Sequence, residues 1–171
     1  GLPALRALSA TCRMASGRAK PSTREVTVMF PMTLCVVGGT DGEQSLSSGE
    51  RFRSSSGTWE ALPPMSGIRS GASSAVISGR LLVWGGFDGR EFLRSVECYD
   101  PAIGFWGDMQ PLTACRGGAA TAVVDGRAYS FGGYDGERVL SSAERLNPDS
   151  GTWEAIPPMS ERRSGATAAA I

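Results

Sequence analysis

The chain has 171 residues, with 17 Lys plus Arg balanced by 17 Asp plus Glu, and no histidine. Zero formal net charge gives no general pull toward nucleic acid or an anionic membrane, and the missing histidines exclude Ser-His and Cys-His nucleophile pairs and the commonest metal ligand. No apolar run approaches the roughly 20 residues of a membrane helix, and 23 glycines point to a chain rich in turns.

Residues 1–33 form a basic lead segment. Arg6, Arg13, Arg18, Lys20 and Arg24 all precede the first acid, Glu25. The segment reads as a linker or the tail of a preceding domain, with an organellar transit segment as the alternative. A start at Gly1 rather than Met fits a chain that continues upstream. One stretch, REVTVMF (24–30), has the look of a degenerate strand. The cysteines, Cys12, Cys35, Cys98 and Cys115, are irregularly spaced and contain no C-x-x-C. They read as reduced thiols of an intracellular protein, and no zinc or other metal site is expected.

From Leu34 onward the chain repeats every 47 residues without a break, as three units, 34–80, 81–127 and 128–171. VVGGTDGE (36–43), WGGFDGRE (84–91) and SFGGYDGE (130–137) are in register, which places the glycine pairs Gly38-Gly39, Gly85-Gly86 and Gly132-Gly133 at one phase. Trp59, Trp106 and Trp153 share another phase, as do Glu50, Glu97 and Glu144, and Arg69, Arg116 and Arg163. A fixed period between 20 and 50 residues is the mark of a repeat fold. A glycine loop present in every unit is architecture, whereas a phosphate cradle occurs once per site.

Each unit reads as all-β. In the second unit, LLVW (81–84) is an apolar run too short for a helix and suited to a strand buried on both faces. Phe87-Asp88-Gly89 then turns, since Asp-Gly is a strong hairpin signal. SVECY (95–99) is the next strand, stopped by Asp100-Pro101. Gly104-Phe105-Trp106 begins a short outer strand that ends at Gln110-Pro111. The small, apolar 118–124 segment is the following strand, packed tightly as at the centre of a ring, and Asp125-Gly126 turns the chain into the next unit. Four strands in about 47 residues make one propeller blade.

The repeated positions are expected to be structural. The glycine pairs allow positive φ and close backbone approach. The three tryptophans seat each blade on its neighbour. The three glutamates pair with the repeated arginines or with backbone amides, and no catalytic residue is expected.

Taken together, these residues resemble the kelch repeat. The double glycine of the second unit is followed thirteen residues later by Tyr99, and Trp106 comes seven after that. Phe52 and Leu146 take the tyrosine position in the other units. SVECYDP, SGTWEALPPM and RRSGATAAA look most like the propellers of BTB-kelch (Kelch-like) proteins. The resemblance implies an all-β kelch propeller without a cofactor. It also implies a binding module that meets a partner protein at one mouth of the ring, as in substrate recognition for a ubiquitin-ligase adaptor or in actin association, in the cytoplasm. The matching mouth positions here are Phe87, Tyr134, Ser70 and Ser164, with Arg69, Arg116 and Arg163 nearby and Arg162 beside them. Thr40 and Gly117 depart from a well-equipped mouth.

Some kelch propellers are enzymes. A copper oxidase is disfavoured by the missing histidines. A sugar-acid isomerase is disfavoured by the small, apolar inner segments GASSAVI, GGAATAVV and SGATAAA. Three units do not close a ring, for propellers have roughly four to eight blades. The chain is part of a longer propeller, or two copies close a six-bladed ring as a homodimer; a further alternative is an incomplete fragment without independent function. In each case 164–171 is an inner strand whose own blade is absent.

Overall fold

A computed structural model describes residues 33–171. The basic lead segment and the strand expected at 24–30 lie outside the described residues. Among the described residues there are eleven strands and no helix. They are β1 (Thr33–Val37), β2 (Gly49–Arg53), β3 (Thr58–Leu62), β4 (Ser73–Ile77), β5 (Arg80–Trp84), β6 (Val96–Asp100), β7 (Phe105–Met109), β8 (Ala120–Val124), β9 (Arg127–Phe131), β10 (Ala143–Asn147) and β11 (Thr152–Ile156). They form three antiparallel meanders: β1-β2-β3, β4-β5-β6-β7 and β8-β9-β10-β11. The chain is thus an all-strand partial propeller of three blades, the first with three described strands.

Local chemistry sets these elements. β5 is apolar from Leu81 to Trp84 and buried along that run, as a strand packed on both faces must be. The β4–β5 and β8–β9 hairpins turn on Ser78-Gly79 and Asp125-Gly126, all four at positive φ, the geometry that two-residue hairpin turns need. The Asp88-Gly89 turn differs from its sequence expectation. It does not join two strands tightly. It lies inside an eleven-residue excursion, 85–95, closed by the isolated bridge between Phe87 and Phe92.

Neighbouring blades meet through two apolar clusters. Leu62, Met65, Leu81, Val83, Tyr99 and Trp106 lie between the first and second blades. Ile77, Leu82, Trp84, Val96, Leu146 and Trp153 are among those between the second and third. Trp153 packs on Trp84 with ring centroids 5.1 Å apart, and the Trp106 indole N–H donates to the Pro63 carbonyl at 2.8 Å. Both tryptophans seat a blade on the one before it. Trp59 does not: it is 52% exposed, because no described blade covers that face of β1–β3. The 164–171 segment is also outside any strand.

The inner strands converge. β4 packs against β8, and the Ser73 hydroxyl donates to the Ala119 carbonyl at 2.9 Å. At their starts, the Gly118 amide donates to the Gly71 carbonyl and the Gly165 amide to the Gly118 carbonyl, each at 2.8 Å.

Candidate functional site

The β5–β6 and β9–β10 excursions and the connections leading into β4 and β8 gather at one end of the sheets. The glycine pair anchors each excursion. Gly85 and Gly86 have φ of 65° and 93°, and the Gly86 amide donates to the Arg116 carbonyl at 2.9 Å. A Cβ on Gly85 would overlap that carbonyl oxygen. The same contact recurs from Gly39 to Arg69 and from Gly133 to Arg163. These amides are spent on the chain itself, which is why the loop is not a phosphate cradle.

The arginine side chains reach the other way, into the following blade. Arg69 donates to Glu97 Oε1 from Nε and Nη2, at 3.2 and 2.9 Å. Its Nη1 donates to the carbonyls of Gly85 and Ser95 at 3.0 and 3.1 Å. Glu97 also accepts the Ser66 and Gly67 amides. Arg116 repeats the contact with Glu144 Oε1 at 2.9 Å, and with the Gly132 and Ser142 carbonyls. All four side chains are buried. This corrects the expectation that Arg69 and Arg116 face a partner: each is consumed by an inter-blade latch and offers no donor to solvent. Glu97 and Glu144 fulfil the expected pairing, each with the arginine of the preceding repeat rather than of its own. Glu50 is exposed and makes no ion pair with a described residue. Arg163 and Arg162 are also exposed, and Arg163 pairs with Glu161 at 2.7 Å.

Above the latches sits the mouth. Phe87 exchanges two backbone hydrogen bonds with Ser70, at 2.8 and 2.9 Å, and Tyr134 exchanges two with Gly117 at 2.9 and 2.8 Å. Each turn aromatic is therefore docked on the previous blade's connection, which brings Ser70 to Phe87 directly. Ser164 has no such turn residue to meet among the described residues and is exposed.

Phe92 completes the site, and the repeat pattern did not point to it. Its ring lies 4.9 Å from that of Phe87 and 4.9 Å, edge-on, from that of Tyr134. Gly117 makes this possible: a Cβ there would stand 2.6 Å from two Phe92 ring carbons. The residue that looked like a deficiency of the mouth is the floor beneath its central ring. One signal existed in the sequence: Phe92 stands where the other units carry Ser45 and Val139, so it breaks the repeat at an exposed loop. Ser45 instead donates its hydroxyl to the Ser70 hydroxyl at 3.0 Å. The half-buried surface thus runs from paired serines at the first blade to three aromatic rings across the second and third.

Each excursion is pinned by its aspartate. Asp88 Oδ1 accepts the amides of Arg90 and Glu91, both at 2.8 Å, and Asp41 and Asp135 repeat this. The Glu91 amide, then that of Arg90, holds the Asp88 carboxyl below its ordinary value. Gln44 and Glu43 do so for Asp41, and Arg138 and Glu137 for Asp135. Cys115 lies beside the mouth, its thiol pushed up by burial. Cys35, Cys98 and Cys115 are not joined in disulfides. Among the described residues no three Cys, Asp or Glu are grouped as metal ligands would be, and no helix is long and apolar enough to cross a membrane.

Comparison with known proteins agrees with the three-blade geometry. Residues 4–171 match the model of the KLHDC2/KLHL20/DRC7 Kelch-repeats domain. The solved structure of YjhT superposes with a TM-score of 0.67 at 15% identity, covering 77% of this chain and 51% of that one. The chain therefore spans about half the length of that neighbour. No curated protein matches the sequence.

Proposed function

Because the chain belongs to the kelch-repeat family described by that domain model, we propose that it is a protein-interaction module that binds a partner protein at the mouth formed by Phe87, Phe92, Tyr134, Ser70 and Ser164. One observation carries this: three half-buried rings are clustered on loops that the latches and aspartate turns hold rigid. Rigid aromatic anchors beside hydrogen-bonding groups are the usual energetic centre of a protein interface, and loops on a fixed scaffold are where specificity resides. Arg162 and Arg163 border this surface as exposed cations. Substrate recognition for a ubiquitin-ligase adaptor and actin association are the two partner classes the family suggests, both in the cytoplasm. The enzyme alternative has less behind it, since the buried carboxylates Glu97 and Glu144 are engaged by Arg69 and Arg116.

Alanine at Phe87 and Tyr134 tests the proposal. The double variant should keep the wild-type circular dichroism and melting transition and lose the proteins that the immobilised wild-type chain captures, compared by quantitative mass spectrometry. An unchanged set of captured proteins would overturn the assignment of the mouth.

A further inference from the structure

Each blade ends in an outer strand, β3, β7 or β11, whose far edge pairs with no described strand. These edges lie on the circumference, where a neighbouring blade does not reach whatever the number of blades. A free strand edge offers a row of unpaired amides and carbonyls, and proteins guard such edges with charge. Two of the three are guarded alike. On β3, Glu60 pairs with Arg51 at 2.8 Å and with Arg53. On β11, Glu154 pairs with Arg145 at 2.9 Å and accepts a hydrogen bond from Asn147 at 2.6 Å. The turn into each of these strands is closed by two hydroxyls, Ser56 with Thr58 at 2.7 Å and Ser150 with Thr152 at 2.6 Å.

β7 has none of these guards, although its blade is the one covered on both faces. Gly107 stands at the phase of Glu60 and Glu154, and Cys98 at the phase of Arg51 and Arg145. Ile103 and Phe105 replace the two hydroxyls and are 57% and 48% exposed. Asp108 replaces Ala61 and Ala155. It is exposed and makes no ion pair with a described residue. Nothing in the chain itself requires the glycine. Gly107 is not at positive φ, and a Cβ there would meet nothing within 4 Å. A glycine inside a strand often marks the close approach of another backbone, and no described backbone approaches this one. β7 is meanwhile held firmly from both sides. Trp106 is buried against the first blade, and Met109 packs on the cluster shared with the third.

We propose that the free edge of β7 takes up an extended segment of a partner protein as a fifth strand of the second blade. The segment carries apolar side chains over Phe105 and Gly107 and a Lys or Arg against Asp108. Charge decides the occupant. Between Arg94 and Arg116 the chain has three acids, Glu97, Asp100 and Asp108, and no base. Glu97 is paired with Arg69 and Asp100 with Arg80, so Asp108 is the charge left for a visitor. A second copy added through its own β7 would bring another Asp108 to this edge and no cation. Opposite charges across a strand pair are favourable, and like charges are not. Strand geometry sets the rest of the pattern. The residues opposite Phe105 and Gly107 are two apart and share one face, while the cation opposite Asp108 lies on the other. In strand addition the main chain supplies affinity and such alternating side chains supply specificity.

A displayed library of random heptapeptides, selected on the full chain and counter-selected on its Gly107→Glu variant, tests this. The surviving peptides should alternate apolar and polar residues and carry Lys or Arg at a polar position. A synthetic copy of the strongest is then titrated by calorimetry. The Ile103→Ser/Phe105→Thr double variant should weaken it at least about tenfold, and Asp108→Ala about threefold to fivefold. Both variants install residues that the sister blades already carry, so each should keep the wild-type circular dichroism. N-methylation along the peptide should abolish binding at every second residue, as a hydrogen-bonded ladder requires and a side-chain contact does not. The Phe87→Ala/Tyr134→Ala variant should bind the peptide unchanged, which separates failure here from failure of the mouth. No surviving peptide, survivors without a cation, or survivors indifferent to Ile103→Ser/Phe105→Thr would each overturn the proposal. So would a dimer in sedimentation that Gly107→Glu converts to single chains, since the edge would then belong to a second copy.

Discussion

At the scale of single residues, Arg69 and Glu97 show how position decides what a charge is worth. Glu97 is buried and meets a guanidinium and two amides, so Glu97→Ala strands a buried cation at a cost of roughly 3–5 kcal/mol. Chemical denaturation should read that loss, and the Arg69→Ala/Glu97→Ala double variant should lose less than the two single variants together. Glu60 also meets arginine, but at the surface, and its removal should change little. The pairing of a repeated Glu with a repeated Arg was legible from the sequence. Which arginine meets which glutamate was not, because the contact crosses from one repeat to the next. Phe92 was harder still. Its importance comes from two rings and a missing side chain that are distant in sequence and adjacent only after folding.

At the scale of elements, the strands were legible and the excursions were not. A 47-residue period with short apolar runs fixes where strands lie, since buried strands need little beyond pattern. The 85–95 excursion looked like a tight hairpin because Asp-Gly favours one. Instead Asp88 uses its carboxylate to bind two amides of its own loop, and the glycine pair is held by the Arg116 carbonyl. This makes the loops acid-sensitive. The carboxyls of Asp41, Asp88 and Asp135 are lowered in the folded chain by these amide bonds. Their contribution is therefore full above the ordinary aspartate range and is lost as pH falls through it and below the folded values. Hydrogen exchange followed by NMR from pH 6 downward should show the Arg90, Glu91, Glu137 and Arg138 amides losing protection before the amides of β5 and β6. Asp88→Ala should leave the Arg90 and Glu91 amides unprotected at every pH and so remove their pH dependence.

At the scale of the whole molecule, stability is shared between neighbours, as in other repeat architectures. The second blade is covered on both faces, and β5 and β6 are almost wholly buried. Among the described residues the first blade is covered on one, and β1 is exposed along four of its five residues. Amides of β5 and β6 should exchange slowest and those of β1–β3 fastest. Mass-spectrometric exchange on peptides from the two blades checks the order, and uniform protection would contradict it. Blade number was readable from the sequence, whereas the burial of the second blade between its two neighbours needed the register of the packed blades. The ring of Phe92 over Gly117 has a consequence at this scale. A molecule built from identical units offers a visitor several equivalent berths, one per sector, and binding to them is degenerate. Phe92 occurs in one unit and Gly117 in one connection, so a single sector is unlike the others. For the proposed mouth, that asymmetry lifts the degeneracy and predicts one partner for each chain, which titration calorimetry with a captured partner would check.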